Sequence, residues 1–133
     1  MTIVVGYVNT PEGDAAIEAA ASEAELRGAK VVVVHSMFGG SRDKGGEYIA
    51  SAEAMERIHA DLTGRGIEHS VHEYVRGQTP AEDLVQAAQE YDAGLIVIGI
   101  RKRSATGKIL LGSNALEILH DATCPVLCVK AKG

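Results

Sequence analysis

The chain has no tryptophan, one phenylalanine and two cysteines, and aromatic residues make up 4% of it. Without a set of exposed rings it lacks the stacking platform on which single-stranded nucleic acids lie. Acidic residues outnumber basic ones, 18 to 13, for a formal net charge of −5. That balance argues against general binding to nucleic acid or to an anionic membrane. No apolar run approaches the ~18 residues that a membrane span needs. Met1 leads almost directly into Ile3-Val4-Val5, with no basic segment before the run and no cleavage site after it, so a cytoplasmic location is expected. On a strand, the Cα atoms of Cys124 and Cys128 would lie ~13 Å apart, beyond the ~7 Å reach of a disulfide. Both read as small apolar side chains.

Catalytic arrangements are missing as well. There is no nucleophile elbow, no paired carboxylates and no Cys/His constellation. His35, His59, His69, His72 and His120 carry no partner at metal-ligand spacing. His69 and His72 differ in strand parity and should face opposite ways. His35 reads as a packed or hydrogen-bonded residue. No acid or base is placed to activate water, which predicts binding without efficient turnover.

What is present is an alternation. At 133 residues the chain has the length of one domain, 1–133, with a real core. Five apolar runs, Ile3–Val8, Val31–Val34, Ser70–Val75, Leu95–Gly99 and Pro125–Lys130, alternate with four helical patterns. The unbroken valines at 31–34 suit a parallel strand buried on both faces. The polar-apolar alternation of 70–75 suits a half-exposed edge strand. Thr10-Pro11 and Gly28 bracket a first helix with a small-residue stripe, Ile17, Ala20, Ala21 and Ala24. Tyr48, Ala52, Met55, His59 and Leu62 form the stripe of a second helix, stopped by Gly64 and Gly66. Thr79-Pro80-Ala81-Glu82 is a capping box with proline in the first helical position, followed by Ala81, Leu84, Val85 and Ala88. A last helix over about 113–121 should bury Ala115, Ile118 and Leu119. Gly39 to Gly46 reads as a surface loop, with a lid over a ligand as the alternative. The βαβαβαβαβ order predicts a doubly wound parallel sheet with right-handed crossovers. The apolar last strand, at or near an edge, predicts a homodimer joined edge to edge through 125–130.

The most informative stretch runs from Gly99 to Ser113. It follows an apolar run, precedes a helix, and holds Arg101, Lys102, Arg103 and Lys108. A strand, a loop of glycines and cations, and a helix start are the elements of a phosphate seat. Two fingerprints fail here. In a Walker loop, Lys102 would occupy the first glycine's place and Ile109 the hydroxyl's. The dinucleotide fingerprint belongs after the first strand, where Val8-Asn9-Thr10-Pro11 does not match it. Ser104 and Thr106 read as ordinary loop residues.

A third pattern fits better. Gly99, Gly112 and Ser113 resemble the G-x2-G-x9-G-[S/T] motif of the universal stress protein family, with Lys102 at the second glycine. The Pro11-Glu12-Gly13 turn, the Gly77-Gln78-Thr79-Pro80 entry and the ending Cys124 to Lys130 extend the resemblance over the whole chain. It implies a Rossmann-like fold, akin to the adenine-nucleotide α-hydrolases, with strand order 3-2-1-4-5 and a dimer through strand five. It implies a regulatory stress-response protein that binds ATP, or AMP or ADP, between strands one and four, with at most slow ATP hydrolysis. Carried over by motif, Gly99, Gly112, Ser113 and Asn114 would meet the phosphates and ribose, and Ser36 and Met37 the adenine. Val8, Asn9, Thr10 and Ile98 would line the strand ends, and Arg101, Lys102 and Arg103 would pair with phosphate oxygens. Members that bind ATP usually hold an acidic residue where Val8 stands, so a Mg2+ site there is not expected. A nucleotide-free dimer acting as a protein-interaction module is the alternative. A hydrolase-type enzyme would need a Ser-Gly-Gly-like loop that Asn9-Thr10-Pro11 does not supply.

Overall fold

The computed structural model describes residues 1–36, 45–75, 77–101 and 111–131. Five strands, β1 (Thr2–Gly6), β2 (Lys30–Ser36), β3 (His69–Tyr74), β4 (Leu95–Ile100) and β5 (Val126–Lys130), alternate with four helices. The helices are α1 (Pro11–Arg27), α2 (Gly45–Gly64), α3 (Pro80–Glu90) and α4 (Ser113–Asp121). The strands form one parallel sheet in the order β3-β2-β1-β4-β5. This is the doubly wound architecture expected from the alternation, with the order implied by the resemblance.

Side-chain parity divides the core in two. Val31 and Val33 face one side, with Ile3, Val5 and the stripes of α1 and α2. Val32 and Val34 face the other, with Val4, Ile96, Ile98 and the stripes of α3 and α4. The unalternating valine run thus feeds both cores. Within the α1 stripe, Ala16, Ala20 and Ala21 are fully buried; their small volume lets the helix lie close on the sheet.

The helix signals act as read. Thr10 Oγ1 accepts from Gly13 N at 3.2 Å, and Gly28 closes α1 in the left-handed region at φ 64°. At α3, Glu82 N donates to Thr79 Oγ1 at 3.1 Å and Thr79 N donates to Glu82 Oε1 at 2.9 Å.

Four expectations need correction. β1 stops at Gly6, and Val8 lies beyond it, 47% exposed. The α2 stripe is turned by part of a turn: Ala54, Met55, Ile58 and Leu62 are buried, while His59 is exposed and reaches His69. Leu119 of α4 is 42% exposed, and α4 packs instead through Ala115 and Ile118, with Ala122 just after it. Gly45 and Gly46, read as loop, open α2. The rest of the Gly39–Gly46 loop and the Tyr48 side chain lie outside the described residues.

Candidate functional site

In a parallel sheet of this order the connections leave β1 and β4 toward opposite faces, which opens a crevice at their carboxyl ends. Two adjoining hollows occupy it. The inner one, about 150 Å3, is walled mainly by aliphatic groups, including Val34, Leu84, Ile98 and Ile118, with Ser36 and Gly99 at its edge. The outer one, about 340 Å3, is polar at its rim: Thr10, Glu12, Arg101, Gly112 and Asn114. Val8, Gly99, Asn114 and Ala115 line both.

Of the residues singled out by sequence, Val8, Thr10, Ser36, Ile98, Gly99, Arg101, Gly112 and Asn114 come together on these walls. Two do not. The Asn9 Oδ1 accepts from the Tyr7 hydroxyl at 3.1 Å, and Ser113 opens α4 without lining either hollow. Met37, Lys102 and Arg103 lie outside the described residues, as do Ser104, Thr106 and Lys108.

The crevice is framed by close backbone approach. A Cβ on Gly99 would stand 2.2 Å from the Glu12 carbonyl oxygen, and one on Gly13 would stand 1.7 Å from the Val8 carbonyl oxygen. Neither glycine can be replaced without moving α1. Gly112 is different: a Cβ there meets nothing within 4 Å, and its φ of −69° and ψ of 166° suit any residue. As N-cap of α4 it offers no side chain, and the first turn of α4 holds no acidic residue. Among the described residues, the amides that open α4 therefore have no side-chain acceptor, at the end of a helix where partial positive charge collects.

Charges at the rim are arranged around Arg101. Its Nε lies 3.7 Å from Glu12 Oε1, and its side chain is 60% exposed. The Thr10 hydroxyl, the backbone amide of Glu12 and then Arg101 hold the Glu12 carboxyl below the usual carboxylate range. On the opposite lip, Ser36 Oγ donates to Asp83 Oδ2 at 2.5 Å, and Asp83 is fully buried in the first turn of α3. Behind the β1 end, Tyr7 is 2% exposed. Burial, then the Asp14 carboxylate, push its hydroxyl up to about 12. His35 Nδ1 donates to the Tyr7 carbonyl at 3.0 Å and ties β2 to the end of β1.

Glu12, Asp83 and Leu84 are site residues that the sequence reading passed over. For Glu12 and Asp83 the available signal was their place in the first turns of α1 and α3, both of which follow a Thr-Pro start. An aliphatic group stands at Val8, and no three His, Cys, Asp or Glu side chains gather among the described residues.

Comparison with known proteins accords with the fold. A relative from Mycolicibacterium smegmatis, a universal stress protein, is 37% identical over 131 residues, 98% of each chain. The structure of a universal stress protein from Archaeoglobus fulgidus superposes with a TM-score of 0.81 at 42% identity, covering 98% of both chains. A second structure from that organism, a universal stress protein in complex with dAMP, gives 0.74 at 38% identity over the same shares. The model of the universal stress protein family matches residues 1–130. With the match running almost the full length and the relatives covered nearly whole, the chain belongs to the universal stress protein family.

Proposed function

We propose that this one-domain chain binds an adenine nucleotide in the β1–β4 crevice and acts as a regulatory stress-response protein, by binding rather than turnover. The observation that carries the reading is the open N-terminus of α4, with Gly112 and Asn114 on the crevice wall. A phosphate there meets backbone N–H groups and the positive end of the helix. Arg101 stands across the same hollow and adds a cation. The aliphatic inner hollow suits a planar base, with the Ser36–Asp83 pair as a polar edge. That a relative 38% identical is complexed with dAMP supports the base assignment.

ATP, ADP and AMP are all candidate occupants. Since Val8 offers no oxygen, phosphate charge is met by α4 and Arg101 rather than by Mg2+ held at β1. The reading includes a cytoplasmic location, consistent with Cys124 and Cys128 being unpaired. It includes a homodimer through β5, an edge strand paired on one side only, whose Leu127 is 37% exposed. No helix among the described residues is long and apolar enough to cross a membrane.

Calorimetry with ATP, ADP and AMP, each with Mg2+ and with a chelator, tests the site. Saturable binding below millimolar concentration is expected, with little dependence on Mg2+ and with loss of binding in Gly112→Val. No heat with any of the three at millimolar concentration rejects the reading and favours a nucleotide-free dimer, the second reading that exposed Val8 supports. Analytical ultracentrifugation at micromolar protein tests the dimer, which a monomeric profile overturns.

A further inference from the structure

The inner hollow has three polar side chains on its walls, Tyr7, Ser36 and Asn114. Asn114 lines the outer hollow too and stands where the two meet. The Tyr7 hydroxyl is turned toward Asn9 and Asp14. Ser36 closes β2 and lines the inner hollow alone. Its Oγ donates to Asp83 Oδ2 at 2.5 Å. Asp83 is fully buried in the first turn of α3, which fixes the acceptor in place.

A hydroxyl has one proton and two lone pairs, and a carboxylate has no proton to return. With its proton committed to Asp83, Ser36 offers the hollow acceptor sites only. A ligand edge that meets Ser36 has to donate. The walls around it, Val34, Leu84, Ile98 and Ile118 among them, are aliphatic and give a misplaced polar atom no other partner.

We infer that Ser36, oriented by Asp83 as a positioning residue, selects a purine with an amino group at C6 over one with an oxygen there. The inference rests on the adenine-nucleotide reading of the crevice and names the residues that enforce it. On the base of an adenine nucleotide the 6-amino group is the sole N–H donor, so it alone can answer an acceptor. Hypoxanthine and guanine set a carbonyl oxygen at C6, lone pair against lone pair. A site built to hydrogen-bond one group rejects the analogue that lacks it, because buried polar atoms are then left unpaired. Asp83 touches no part of the base in this arrangement; it acts by deciding where the serine proton points.

The test is calorimetry of the full chain with AMP, purine riboside 5′-monophosphate and IMP, which carry an amino group, a hydrogen and an oxygen at C6. AMP is expected to bind at least about tenfold more tightly than either of the others. Ser36→Ala, at a partly exposed position, keeps the fold and brings AMP and IMP to within about threefold of each other. Asp83→Leu removes the acceptor, leaves Ser36 able to donate to an oxygen at C6, and narrows the gap likewise; circular dichroism verifies its fold. A merely structural role for the pair would weaken all three nucleotides alike and leave their ratio unchanged. IMP binding the wild-type chain as tightly as AMP, or the preference for AMP surviving in Ser36→Ala, overturns the inference while the crevice reading stands. No binding of any of the three overturns both.

Discussion

Helices α1 and α3 start with their first amides already claimed by their own side chains, and α4 does not. Thr10 caps α1, with Glu12 and Asp14 in its first turn. Thr79 and Glu82 close a reciprocal box on α3, with Asp83 beside them. α4 begins at Gly112 with neither a capping side chain nor an acid. All three starts lie at the carboxyl edge of one sheet, and all carry the same partial positive charge from aligned peptides. What differs is whether the sequence supplies the anion. Topology makes several anion-receptive ends, and side-chain choice decides which one stays available to a ligand.

Giving α4 a cap of its own removes the difference between the helix starts most directly. Gly112→Asp is expected to keep the fold, because the backbone there is ordinary and the space open. It should weaken nucleotide binding by about 100-fold, roughly 2.8 kcal/mol, as measured by calorimetry. Unchanged affinity would mean that the α4 end is not the phosphate seat. The converse change, Thr79→Ala, removes the cap of α3 and should cost about 1 kcal/mol of stability. Urea denaturation reads this, and nucleotide affinity should stay within about twofold, since that end is spent on folding.

Glu12→Gln sharpens the contrast within the crevice. Its carboxyl is held low, so it stays ionised at neutral pH and competes with phosphate for Arg101. The amide variant should bind nucleotide about threefold more tightly, within the range of an exposed ion pair. The smallest effect at neutral pH concerns Tyr7, whose hydroxyl lies near Asn9 and Asp14 at the start of α1. Its titration is raised to about 12, so the folded state favours the neutral phenol. That preference is fully present below pH ~10, the unfolded value, and is lost as pH rises from there toward about 12. Tyr7→Phe should flatten that segment of the stability curve in urea melts.

Much of the fold was legible because its signals are local. Caps at Thr10 and Thr79, the left-handed stop at Gly28 and the valine run each depend on a few neighbouring residues. The strand order came from resemblance, since short-range pattern does not say which strand pairs with which. Errors of phase arose where a helix has more apolar residues than its buried face can use: α4 offers Leu116, Ile118 and Leu119, and only Ile118 is buried. That Gly99 and Gly112 stand together on the crevice wall was legible from motif spacing. Glu12 and Asp83 were not, because their roles depend on Arg101 and Ser36, each distant in sequence and adjacent only after folding.

The contact between Gly99 and the Glu12 carbonyl bears on how the motif is inherited. The first glycine is required for α1 to sit against β4, whatever occupies the crevice. A lineage that ceased to bind nucleotide would still be selected to keep it. The last glycine carries no such obligation, so its side of the motif is free to drift once the ligand is lost. Among relatives, position 112 should therefore separate binders from non-binders, while position 99 reports only descent.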